Sequence, residues 1–420
     1  MKKLNRTWLF FTVLLACCIG LSCGNDAIFH AVSLEDTPRN SIIQGSPGNF
    51  AVSDSTVYAW GNRANNVWAF GFDRGEGRWK WNPLTQPGAS VEGLAVVKNE
   101  LFAVVDSGNV SRIMKFLHGQ WVTIHTDHRR ITRLFSTNNK IFARAEVRGN
   151  SEEHAILVFD SPTGNNQAAV HSIITGNGDV NLRGIAELSG DIYIATGQAG
   201  IFRVPTTTPA ASIVSAMVAV SPRTNFVITG IIETTNEIVV VGNSNSSSHL
   251  YAFKATELSD PPNSALWDSP VGDPGVSSFT GALSFWSAFD SGSNTWVRRL
   301  LLVGVGINTT RFGYREIALD NTGDVNLGST PLLRSPGNRN EVVHSSLSIR
   351  ERYNANIGNR ALRFILQAPN LKTLDGIEFF PPKPDGWEPP IFASTTRHGL
   401  FVYYFGDDQW RAEDNTINWR

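Results

Sequence analysis

The feature that most constrains this chain is a phrase repeated along its length. Its clearest copy is "RGIAELSGDIYIATGQAGIFRV", from Arg183 to Val204. Ile185 and Leu188 belong to a first apolar strand, Ser189-Gly190-Asp191 turns the chain, Ile192 to Thr196 form a second strand, and Gly200 to Val204 a third. Copies begin at Gly48, Glu92, Ile131, Ile228 and Phe279, and a seventh is split between Arg360 and Ile391. The second strands centre near residues 58, 103, 142, 193, 239, 302 and 393. The shorter intervals are about one four-stranded propeller blade. The two long ones carry insertions at 290–297 and 368–389, the latter rich in proline.

One hairpin with one apolar face cannot bury that face alone, so successive copies must stack and close a ring. The reading is therefore all-β: a single β-propeller over residues 48–420, with seven four-stranded blades as the leading count and six or eight left open. Paired sandwich domains would also use short strands, but would not repeat the turn, the small-residue strand end and the aromatic strand in order. Composition agrees. Charged residues make up 17% of the chain, below the usual quarter, and 37 glycines and 20 prolines mark many turns. The formal net charge of −1, with no Lys/Arg-rich block, removes the electrostatic reason for a nucleic-acid partner.

The N-terminus is of another kind. Lys2, Lys3 and Arg6 precede an uncharged apolar run from Thr7 to Ile19, the layout of an export signal. The run is too short to span a bilayer comfortably. All three cysteines follow within "LLACCIGLSCGND", residues 14–26. Cleavage before Cys23 leaves a chain without thiols, so disulfides, thiolate metal sites and a cysteine nucleophile are not expected. Residues 1–22 read as the signal and 23–47 as a tether, in which "IFHAVS" at 28–33 is a candidate ring-closing strand.

Two resemblances follow from these residues. Leu14-Leu15-Ala16-Cys17 and Gly20-Leu21-Ser22-Cys23 both resemble the lipobox of bacterial lipoproteins, which implies a lipid-modified cysteine, with Cys23 preferred over Cys17 for the polar residues after it. "IYIATGQAGIFRV" and "IFASTTRHGLFVYYFGDDQWRAED" resemble the repeats of two-component-regulator-type propellers, so that the whole is similar to β-propeller lipoproteins of spirochaete-like bacteria. The resemblance implies an architecture and an envelope location, periplasmic or surface-exposed. It carries over no catalytic residue.

Motifs for chemistry are weak. His125-Thr126-Asp127-His128 is the nearest approach to a metal constellation, yet alternation puts His128 on the side opposite His125 and Asp127, and a third ligand is missing. It reads as a link at a mouth of the ring with a small binding role. Trp60, Trp68, Trp79 and Trp81 cluster in the first repeat; exposed at a rim they would stack on sugars or anchor a protein, and otherwise they fill the space between blades. Paired acids sit in turns, and no P-loop or H-E-x-x-H occurs. No metal, cofactor or catalytic residue is therefore expected. The reading is a lipid-anchored binding or scaffold module for a protein or glycan partner; the alternative is a glycan hydrolase or lyase with acids from several blades converging on the central funnel.

Overall fold

The computed structural model describes residues 41–325 and 362–416, apart from short internal stretches of which the longest are 268–277 and 369–389. Cys17, Cys23 and the segment 28–33 lie outside the described residues. The chain divides into two units, Met1–Arg39 and Asn40–Arg420, and the second contains every described strand.

The strands form seven antiparallel sheets, each built from strands consecutive in the chain. The first runs from Ala51–Val52 to Arg78–Pro83, the second from Ser90–Val97 to Gln120–Asp127, and the third from Arg130–Ser136 to His171–Gly176. The fourth runs from Leu182–Leu188 to Val218–Ala219, the fifth from Val227–Glu233 to Ser247–Lys254, the sixth from Ser278–Phe279 to Phe312–Ala318, and the seventh from Leu362–Gln367 to Gln409–Ala412. All seven expected centres fall in an interior strand of a sheet.

The blade count needs correction. Six of these sheets are four-stranded and the fifth has three strands among the described residues, so the described residues form six four-stranded blades, one of the alternatives left open beside the leading count of seven. After Lys254 the chain turns at Glu257, and Trp267 lays its indole against Tyr251 and Phe253 of the last strand, at ring separations of 5.2 and 4.5 Å. The hairpin pattern recurs in the fifth copy, and Trp267, one of the described residues after it, packs on its last strand. In the sixth sheet Ser278–Phe279 and Leu283–Asp290 share one edge of the long strand Thr295–Gly306, with a one-residue shift of register between them.

The hairpins are tight because their turns adopt left-handed backbone. Lys98 and Asn99 have φ of 52° and 63°, and Ser189 and Gly190 have 53° and 84°. Two successive positive φ values give the turn whose twist matches that of paired strands.

Apolar side chains join neighbouring sheets. Leu94, Ala103 and Met114 of the second sheet meet Trp60 and Val67 of the first; Phe102 and Ile113 meet Ile141 and Leu157 of the third. Phe142 and Val158 then meet Ile192 and Ile194, Tyr193 meets Ile238 and Tyr251, and Val239 meets Leu300. The ring closes where Phe392, Leu400 and Val402 of the seventh sheet pack on Phe70, Trp79 and Trp81 of the first. Ser41–Gly45, within the stretch read as tether, straps the seam: Ile42 N–H donates to Glu413 O at 2.7 Å and Leu400 N–H to Ile43 O at 3.1 Å.

The first strands of the first five sheets lie against one another in chain order, and Leu283–Asp290 of the sixth lies against the first strands of the fifth and seventh, so these strands are nearest the axis. Each of these strands in the second, third, fourth, fifth and seventh sheets breaks register one or two residues after it starts. The residues left over by these bulges are Glu92, Thr132, Arg183, Thr229 and Arg363. A bulge re-aims a side chain that the pleat would otherwise place on one face of the sheet.

Candidate site at the mouth of the central channel

The five bulged residues share a destination. All line one cavity of about 410 Å³, together with Gly48 and Asn49, which precede the first sheet, Trp60 of that sheet, and Arg130, Arg133, Arg144 and Glu146 of the third. Residues from six sheets contribute, which places the cavity on the ring axis, at the end where the chain enters each sheet. Its volume is that of a small-molecule site.

The electrostatics are lopsided. Five guanidinium groups, of Arg130, Arg133, Arg144, Arg183 and Arg363, face two carboxylates, of Glu92 and Glu146. Arg144 Nη2 is 2.7 Å from Glu146 Oε1, and Arg130 Nη2 is 3.4 Å from Glu92 Oε2. Arg133 instead stacks between two rings, 4.6 Å from Phe135 and 5.0 Å from Phe364. The Nε atoms of Arg133, Arg144 and Arg183 are out of reach of solvent and have no hydrogen-bond partner among the described residues. Burial first, and then the charges of Arg144, Arg363 and Arg183, push Arg133 down to about 10. Arg183 is lowered by burial and by Arg144. Burial raises Glu92, and its contacts with Arg130 oppose the rise.

Trp60 borders this cavity. Its indole is 8% exposed, packed so closely on Gly48 that an added Cβ there would lie 2.0 Å from the ring, and its Nε1 has no partner among the described residues. Trp68 is elsewhere, partly buried against the cluster between the first and seventh sheets. Trp79 and Trp81 are 1% exposed in the same cluster.

His125 and Asp127, expected in a link, end the last strand of the second sheet, Gln120–Asp127, and only His128 lies in the two-residue link before Arg130. His125 and Asp127 meet, with Nε2 3.5 Å from Oδ2, and His128 is exposed. Asp127 is mainly an anchor: it accepts from the backbone N–H of Arg129 at 2.9 Å and from its Nε and Nη2 at 2.9 and 2.7 Å. Burial alone would raise this carboxyl, but His125 and Arg129 outweigh it and hold it well below the carboxylate range. Among the described residues no three His, Cys, Asp or Glu side chains are grouped to hold a metal ion.

Of the residues singled out in the sequence, Trp60 borders the cavity; its arginines were not singled out. A signal was present: several repeats open their first strand with one residue followed by glycine, as in Glu92-Gly93, Arg183-Gly184 and Thr229-Gly230. The glycine admits a neighbouring sheet at the axis, and the residue before it turns inward. An added Cβ on Gly93 would lie 3.1 Å from Leu134 N, and one on Gly184 2.7 Å from Ile231 Cγ2.

No family model and no curated protein matches the chain. Among solved structures, it is similar to a chain of a mitotic checkpoint complex at 12% identity and a TM-score of 0.46, covering 90% of this chain and 96% of that one. It is also similar to the computationally designed Ika8 protein, at 11% and 0.41, covering 87% and 100%. A third likeness is to the PQQ-bound aldose sugar dehydrogenase of Streptomyces coelicolor, at 11% and 0.25, covering 52% and 97%.

Proposed function

We propose that this propeller is a lipid-anchored module of the bacterial envelope, held through Cys23 or Cys17, and that it binds a protein or glycan partner without catalysis at the mouth of its ring. The observation that carries the reading is the axial cavity, built from residues of six sheets on a rigid frame. A ring of this kind holds its lining residues in place before a partner arrives, which lowers the cost of binding.

The test is detergent extraction of the full chain from its native envelope, followed by mass spectrometry of the N-terminal peptide and of whatever co-purifies. An acylated Cys23 or Cys17 with a stoichiometric companion supports the proposal. A soluble chain without either cysteine removes the anchor, and the absence of any companion removes the scaffold role.

One observation favours the second reading, a glycan hydrolase or lyase: Glu92 and Glu146 come from different sheets and line the same cavity, as a pair of catalytic carboxylates would. Release of reducing ends from envelope glycans, abolished by both Glu92→Gln and Glu146→Gln, would establish it.

A further inference from the structure

We propose that the axial cavity is a receptor site for a small ligand carrying one or more oxyanion groups, carboxylate or phosphate, on a hydroxylated body. This rests on the binding reading above and names its ligand class. Five guanidinium groups against two carboxylates leave the lining with an excess of three positive charges. Both carboxylates already have arginine partners, Arg144 for Glu146 and Arg130 for Glu92. Arg133 and Arg183 form no ion pair with a described carboxylate, and their Nε atoms are buried without an acceptor. Both side chains line the cavity, so an oxyanion that enters it meets two guanidinium groups with no carboxylate partner among the described residues.

The chemistry of the donors narrows the ligand further. A guanidinium presents a planar fork that matches carboxylate and phosphate oxygens two at a time. Stacking of Arg133 on Phe135 and Phe364 orients that fork before a ligand arrives. Arg133 and Arg183 sit on the first strands of adjacent sheets, so they engage separate oxyanions or two edges of one. Thr229 and Asn49 add a hydroxyl and an amide to the lining, and Trp60 an aromatic edge, which suits a sugar body. The volume of about 410 Å³ admits a molecule of one or two rings and not a folded chain.

The experiment is calorimetric titration of the full chain in detergent, at low ionic strength, with fructose 1,6-bisphosphate, galacturonate, inorganic phosphate and neutral fructose. The expected result is saturable binding of the bisphosphate or the uronate and none of fructose. Tighter binding of the bisphosphate assigns phosphate as the preferred oxyanion, and tighter binding of galacturonate assigns carboxylate. Arg133→Gln and Arg183→Gln should each weaken binding roughly tenfold or more. Lys98→Gln, in the turn at the far end of the strand that starts beside Glu92, should leave it unchanged. Unchanged thermal midpoints establish that the variants fold; if one does not, the other carries the test. Absence of saturable binding with every anion, or equal binding by all three variants, overturns the proposal. A companion protein that still co-purifies with an anion-blind chain leaves the partner reading standing, whereas anion binding without any companion leaves this site standing and removes the partner.

Discussion

Glu413 shows what one buried group contributes. Its side chain is 1% exposed at the seam of the ring, where Oε1 accepts from Asn415 N–H at 2.8 Å and Oε2 has no partner among the described residues. Burial, with a smaller effect of Asp414, pushes the carboxyl up to about 7 against the bond from Asn415. The folded chain then keeps a proton that the unfolded chain releases near pH 4.5, so stability falls as pH rises between these values, and the loss is complete above about pH 7. The shift amounts to about 3 kcal/mol. Glu413→Gln should match the native chain near pH 5 and exceed it by up to that amount at pH 8; urea titrations at the two pH values check this, and a difference independent of pH refutes it. Arg133 makes the opposite bargain. Arg133→Met keeps contact with Phe135 and Phe364 and removes a desolvated cation repelled by its neighbours, so the empty protein should gain about 1 kcal/mol while the anion site is lost. A lower thermal midpoint for this variant would show that the guanidinium is held by bonds it gains in the fold.

At the scale of the element, the repeat is visible as hydrogen bonds between adjacent sheets. Asn99 and Asp54 exchange bonds across 45 residues, Lys115 Nζ donates to Pro162 O at 2.9 Å across 47, and Asn138 bonds Glu187 across 49. Each joins a turn or strand of one sheet to the next, so the strand pattern of the sequence and the stacking of the sheets share one period. Lys115 is the most buried of these, with no exposed side-chain surface, 2.7 Å from Glu100 Oε1 and 5.7 Å from the ring of Phe102. Lys115→Ala should cost about 2–3 kcal/mol, combining a cavity with an orphaned carbonyl. Lys115→Met, which refills the space against Phe102, should recover most of it. Guanidinium denaturation of the two variants separates packing from charge, and equal losses would assign the effect to the ion pair.

The whole molecule depends on its seam. Each sheet has two neighbours only while the first and seventh stay together, and the strap Ser41–Gly45 bonds both to Leu400 and to the residue after the last strand. Gly399 makes the closest approach: its φ is +85°, and a Cβ there would stand 2.2 Å from Ile43 O. Gly399→Ala should therefore destabilise by on the order of 2–4 kcal/mol. In a closed ring this loss reaches every sheet. The midpoint of the entire transition, followed by far-ultraviolet dichroism and tryptophan fluorescence together, should move. A native-like main transition with a small early phase would show instead that the seam opens alone.

By itself the sequence determined the strands, their turns and the interior place of each second strand, because alternation of apolar and polar residues and turn chemistry act over a few neighbours. It also determined that His125 and Asp127 share a side, a consequence of the two-residue period of a strand. The packing of Trp267 on Tyr251 and Phe253 beside the three described strands of the fifth sheet was not legible, because a contact between segments leaves no trace in periodicity. The site was hidden for a stronger reason. Arg133, Arg183 and Arg363 stand on three different sheets, and Arg183 and Arg363 occupy bulges where the two-residue period fails. Only closure of the ring brings these cations to one axis, where burial and mutual repulsion turn separate surface-type residues into a single electrostatic site.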